Sequence, residues 1–135
     1  MRQFETLPHT ADVRLRVTAD TYEELFKGAL DGMNHIIMQE LDERLELKEK
    51  LDIESVDRNM LLIDFLSEVL TLSHSNGAVY RVAKFHDLSD TSLSAAIEGR
   101  KVNEFDEDIK AVTYTESVIK KNSAGHYETT IVFDI

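Results

Sequence analysis

The chain has 135 residues, enough for one domain with a core of its own, and 42% of them are apolar, which excludes a disordered chain. Its 26 acidic against 15 basic side chains give a formal charge of −11, with the basic ones scattered along the sequence; this argues against autonomous high-affinity binding of nucleic acid and against an anionic membrane surface. The absence of cysteine removes disulfides, thiolate nucleophiles, iron–sulfur clusters and Cys-type zinc sites together.

An acidic surface of this kind suits a basic protein partner or a hard cation. No apolar run of signal-peptide length follows Met1-Arg2-Gln3-Phe4-Glu5, and no stretch is long enough to span a bilayer, so a soluble cytoplasmic protein is expected. With one proline and five glycines there are few breakers, and most of the chain can be regular structure.

The first strand signal is Val13 to Val17, where Val13, Leu15 and Val17 alternate with Arg14 and Arg16. Thr21-Tyr22-Glu23-Glu24 then reads as a capping box, in which the Thr21 hydroxyl accepts from the Glu24 amide and Glu24 reaches back. The helix it opens carries Tyr22, Leu25, Phe26, Ala29, Met33, Ile36 and Ile37 on one stripe, read as core rather than as a binding groove. Arg44 to Glu54 alternates again and predicts a strand. Ser55 is the expected cap of a second helix, with Asp57 in its first turn, a stripe through Met60, Leu61, Phe65, Val69 and Leu72, and a left-handed stop at Asn76-Gly77.

Beyond Gly77 the pattern is β. Val79 to His86, Leu93 to Glu98, Ile109 to Ile119 and Tyr127 to Phe133 each predict a strand, with turns at Ser89-Asp90-Thr91 and Asn122 to Gly125. This order predicts an α+β fold: a single layered domain over residues 1–135, with a mainly antiparallel sheet and two helices packed on one face.

Gly-rich phosphate loops, G-x-S-x-G and H-E-x-x-H are all missing. The acidic run Glu104 to Asp108 lacks the glycine and final glutamate of an EF-hand loop and reads as solvated. His35, His74, His86 and His126 have no partner at ligand spacing and read as surface or boundary residues. Two segments carry more chemistry than structure requires. Pro8-His9-Thr10-Ala11-Asp12 packs an imidazole, a hydroxyl and a carboxylate just before the first strand, although a strand-entry turn with Asp12 bonded to its own backbone also accounts for it. Ile131-Val132-Phe133-Asp134-Ile135 is an apolar strand ending in an aspartate and a carboxylate. Held in a sheet, Asp134 and Ile135 become fixed oxygen acceptors that suit Ca²⁺, Mg²⁺ or Mn²⁺. Periodicity cannot show whether Asp12 and Asp134 meet.

The same two segments carry a family resemblance. Pro8-His9-Thr10-Ala11-Asp12, Asp57-Arg58 before a helix with Leu61-Leu62 and Asp64, Asp108-Ile109-Lys110-Ala111-Val112-Thr113-Tyr114, and the closing Val132-Phe133-Asp134-Ile135 resemble the archeases in order along nearly the whole chain. The resemblance implies a small α+β accessory protein, not an enzyme, that activates the RNA-splicing ligase RtcB. It would promote GTP-dependent guanylylation of the ligase and repeated turnover in tRNA splicing and RNA repair, and broaden nucleotide use. It also implies a divalent cation, Ca²⁺ first and Mg²⁺ or Mn²⁺ as alternatives, bound by Asp12, Asp134 and main-chain oxygens of Ile135. Many archeases follow the Lys-Ala-Val-Thr-Tyr segment with histidine; Thr115 stands here, so a role for that histidine does not transfer. Two other classes stay open at this point: a metal-dependent hydrolase using Asp12 and Asp134 with His9 as base, and a chaperone-like modulator of RNA-modifying enzymes.

Overall fold

The structure is a computed structural model that describes residues 1–7, 12–40, 43–114 and 118–135. β1 (Arg2–Leu7) and β2 (Asp12–Ala19) lead into α1 (Tyr22–Ile37), followed by β3 (Leu47–Glu54), α2 (Arg58–Asn76), β4 (Ala78–Leu88) and β5 (Ser92–Lys101). β6 (Ala111–Thr113), β7 (Lys120–Lys121) and β8 (Tyr127–Asp134) complete the chain. The α+β class with antiparallel pairing is as expected, and the strands divide between two sheets. One runs β1-β2-β8-β6 with β7 also on β8; the other runs β3-β5-β4. α1 packs against β1, β2 and β4, and α2 against β3, β4 and β6, so both helices touch both sheets.

The alternation in β2 does what a half-buried strand requires: Leu15, Val17 and Ala19 are buried, and Arg16 faces water. α1 opens on Thr21, whose hydroxyl accepts from the Glu24 amide at 3.1 Å. The reciprocal half of the capping box is replaced, because the Glu24 carboxylate accepts from Arg2 Nη1 at 3.2 Å. Gly32 lets the helix lie close on β2, since a Cβ there would stand 2.4 Å from Leu15 Cδ2. Phe26, Phe65 and Phe85 meet at the centre with ring centroids 5.7, 5.9 and 5.4 Å apart, an α1–α2–β4 junction.

Three local readings are corrected, and one strand is added. α2 is capped by Asp57, whose carboxylate accepts from the Met60 amide at 2.9 Å, and not by Ser55, whose hydroxyl donates to Asp64. Its far end closes on Gly77 at φ +59°, as the sequence predicts. The strand expected from Arg44 begins only at Leu47. Of the strand expected over Ile109 to Ile119, the described residues form strand at Ala111–Thr113, while residues 115–117 lie outside the described residues. At its far end the Ile119 amide donates to Asn59 Oδ1 at 2.8 Å and its carbonyl accepts from Arg58 at 3.1 Å, so side chains of α2 take the groups a ladder would have used. Finally, β1 had no alternation to announce it; only Phe4 packs on the core, while Arg2 and Glu5 are tied to Asp31, Glu24 and Arg16. Among the described residues no helix is long and apolar enough to cross a membrane.

Candidate functional site

β8 is the interior strand that brings the two ends of the chain together. Thr129, Ile131 and Phe133 turn inward and are buried, which anchors the strand and leaves Asp134 on the opposite face, exposed. β2 lies beside it with the register Asp12↔Asp134, Val13↔Phe133 and Arg14↔Val132. Asp12 and Asp134 are therefore directly opposed on one face, at the end of the ladder. β6 closes the other side with Ala111↔Asp134 and Thr113↔Val132. The Lys110 amide also donates to the Asp134 carbonyl at 2.7 Å, so the last residues of β8 are held from both flanks. Ile135 is half-buried and packs against the core.

Directly opposed residues in an antiparallel pair hold their Cβ atoms about 5 Å apart, and like charges so placed repel. A cation between them, or a donor beside them, turns that repulsion into attraction. Arg14 stands one step along the same face of β2, with Val132 and Thr113 completing its row. Asp12 and Asp134 are hard oxygen donors, as Ca²⁺ or Mg²⁺ demands. Among the described residues no three His, Asp or Glu side chains are grouped to hold a metal ion. His9 lies outside the described residues, as do Pro8, Thr10, Ala11 and Thr115.

The remaining motif residues resolve into structure. Leu61 and Leu62 are core, and Asp57 is the cap. Asp64 accepts from the Ser55 hydroxyl and, at 2.7 Å, from the Tyr114 hydroxyl, fastening the end of β6 to α2. That hydrogen bond, with a smaller contribution from burial, holds the Tyr114 phenol above its ordinary range. No local pattern announces this link; its one signal is that Asp64 and Tyr114 both lie in segments that resemble the archeases. His74 faces Asp108 at 3.3 Å and His126 faces Asp20 at 3.2 Å, pairings of boundary residues. Asp106 in the acidic run has a local task, accepting from the Gln39 amide at 2.9 Å just past α1.

The described fold is thus an antiparallel α+β protein whose first and last segments present an opposed carboxylate pair. The model of the Archease protein family matches residues 4–135, and the chain belongs to that family. It is 30% identical over 142 aligned positions to the protein archease of Methanosarcina mazei, covering 99% of this chain and 97% of that one. To the protein archease of Pyrococcus abyssi it is 28% identical over the full length of both. Among solved structures, the solution structure of protein 1598 from Methanobacterium thermoautotrophicum superposes with a TM-score of 0.77 at 23% identity, over 98% of each chain. The crystal structure of a Thermotoga maritima archease, described as a possible chaperone, gives a TM-score of 0.63 at 21% identity, over 97% of this chain and 96% of that one.

Proposed function

We propose that this protein is a non-catalytic activator of an RtcB-type RNA ligase, acting through the Asp12–Asp134 face with a divalent cation, Ca²⁺ in the first place. Three things support the reading: membership of the archease family, the strongly acidic chain, and above all the register that sets Asp12 directly against Asp134. The carboxylates of Asp12 and Asp134 and the main-chain oxygens of Ile135 would hold the cation. When bound, the cation would neutralise the pair and offer positive charge to phosphate oxygens. The chain's own contribution is positional. β8 is clamped between β2 and β6, so the acidic groups sit on rigid strands and not on a loop, and rigid donors are what an accessory protein needs to order another protein's active site.

In this role the protein promotes transfer of GMP to the ligase histidine and supports repeated turnover, with no reaction completed on its own residues. Multiple-turnover RNA ligation by RtcB, with and without this protein, is the test. Native protein should raise both guanylylation and the number of ligations per ligase, whereas folded Asp12→Asn and Asp134→Asn proteins should not. Full stimulation by either variant would overturn the assignment of the face. The name of the Thermotoga maritima relative favours a chaperone-like second reading, in which the protein keeps an RNA-modifying enzyme soluble. Rescue of enzyme solubility that survives both substitutions would favour that reading.

A further inference from the structure

The three-stranded sheet has one face on the core and one face open. Leu51, Ala83, Leu93, Ala95 and Ile97 turn inward and belong to the core. The outward residues stand in rows set by the register across β3, β5 and β4. One row is Lys50–Ala96–Lys84, and the row beside it is Asp52–Ser94–Asp87. Lys48, opposite Glu98, extends the first half, and Glu54, opposite Ser92, extends the second. Lysines therefore prevail at one end, where Glu98 of the middle strand pairs with Lys84, and carboxylates at the other, with Ala96, Ser94 and Ser92 down the rest of the middle strand. Lys48, Lys50, Asp52, Glu54, Lys84 and Asp87 are all exposed. Ala96 is only 2% exposed yet lies outside the core, the mark of a small residue flanked by taller ones. The acidic half is hollow: Asp52, Glu54, Asp87, Ser92 and Ser94 line a depression of about 510 Å³.

We propose that this face is where two copies of the chain associate, about a two-fold axis that runs across the strands between the Ala96 row and the Ser94 row. An isologous interface must be complementary to itself. Turning the face about that axis sets Lys50 over Asp52 of the second copy, Lys84 over its Asp87, Lys48 over its Glu54, and Ala96 over its Ser94. Each pairing occurs twice. Lys84 already pairs with Glu98 at 3.0 Å within its own chain, which holds the ammonium at the surface where it would meet the second copy. A polyanion drawn to the lysine row would meet the acidic row about 7 Å further along the strands, and a cationic partner would meet the lysines in the same way. Only a surface with the opposite order of signs satisfies both halves, and this face, turned about, has that order.

The contact is small. Three strands about 4.8 Å apart and some eight residues long offer about 400 Å² per copy, half of what a standard interface uses. The association is therefore transient, dependent on protein concentration and weakened by salt. It involves none of the residues of the Asp12–Asp134 face and stands or falls separately from the ligase reading.

Sedimentation velocity on the full chain across a dilution series tests it. At about 50 mM salt the native protein should pass from monomer to dimer as concentration rises, and the dimer should weaken about tenfold at about 0.5 M salt. The variant Lys50→Asp/Lys84→Asp, acidic in both central rows, and the variant Asp52→Lys/Asp87→Lys, basic in both, should each remain monomeric, and an equimolar mixture should form the heterodimer. A chain carrying all four changes exchanges the signs of the two central rows and keeps Lys48 over Glu54 of the second copy, so every pairing is again complementary and it should dimerise again. Monomer at every concentration up to about 1 mM at low salt, single variants that dimerise like the native chain, or a mixture that fails to pair would each overturn the proposal. So would native protein that binds an oligonucleotide through Lys50 and Lys84 without associating with itself.

Discussion

Replacing Gly99 by alanine should be among the most damaging single changes to this fold, and the structure says why. Gly99 lies in β5 opposite Leu47 and Tyr80. A Cβ at this position would stand 1.9 Å from the Val79 carbonyl oxygen and 2.6 Å from Tyr80 Cα. Both are main-chain atoms of the neighbouring strand, so no rotamer relieves the clash. They belong to the point where the β4–β5 register steps from Tyr80 to Val82, and the strand there is fixed from behind. Asn34 Nδ2 donates to the Tyr80 carbonyl at 2.7 Å in the buried interior, and Asn76 donates to the Tyr80 hydroxyl at 2.8 Å. Moving β4 away means overpacking elsewhere, at about 1–3 kcal/mol, and the loss of at least one buried hydrogen bond, at about 1–3 kcal/mol more. A total of about 2–6 kcal/mol corresponds to a fall in Tm of about 6–24 °C for a chain of this length. Gly77→Ala is the internal comparison. Its φ of +59° imposes left-handed strain, but the nearest atom to a new Cβ is the Val102 carbonyl oxygen at 3.9 Å, so about 1 kcal/mol is expected. Urea and thermal denaturation of both variants, followed by circular dichroism, decide the matter. Gly99→Ala no more costly than Gly77→Ala would refute the reasoning.

Asp12→Asn and Asp134→Asn should each remove most of the stimulation of RNA ligation, and the double variant should add little, because directly opposed residues act as one unit; additive losses in the ligation assay would separate them. Ca²⁺ at about 100 times its dissociation constant should stabilise the native protein by about 2.7 kcal/mol and leave the Asp12→Asn protein unmoved, read as a shift in Tm between chelator and Ca²⁺. Asp57→Ala should cost about 1 kcal/mol in urea denaturation through loss of the α2 cap, whereas removing the Ser55 hydroxyl should not fray that helix end. Burial first, and Asp90 second, raise the Tyr22 phenol to about 12, and its hydroxyl donates to the Ser89 carbonyl at 3.0 Å. A raised folded-state pKa means that the stabilisation is complete below the unfolded value near 10 and is lost as pH climbs from 10 towards 12. The loss should be about 1 kcal/mol once solvent screening of the half-exposed ring is allowed for, and Tyr22→Phe should abolish it, as read from urea denaturation across that range.

Most of the helical and strand content was legible because its signals are local. The Thr21 cap, the α1 stripe, the Gly77 stop and the alternation in β2 each lie within a few residues, and each is found in place. The misreadings share a cause. Ser55 and Asp57 are both good caps on paper, and the choice fell to Asp57 because Ser55 was drawn to Asp64, a partner visible only once the helix has formed. Ile119, expected to end a strand, instead has its backbone bonded by Arg58 and Asn59 of α2, partners that no local pattern announces. β1 is a strand by virtue of its neighbour: a segment with one packed side chain pairs with β2 along its whole length.

The candidate site divides in the same way. The sequence alone marked Asp12, Asp134 and Ile135 as acceptors out of place in a purely structural segment, and the family motifs tied them together. Periodicity carries no information about which strand lies beside which, so adjacency had to come from the topology. β2 and β8, from opposite ends of the chain, pair in antiparallel register, and that register puts one aspartate against the other. The sign order on the second sheet is of the same kind. Alternation along β3 announces that Lys48, Lys50, Asp52 and Glu54 share a face, but whether Lys84 and Asp87 fall into line with them depends on bulges in β4 that no local pattern encodes. Side-chain periodicity is written residue by residue; register is settled by how two whole strands pack on a common core, and only the tertiary structure decides it.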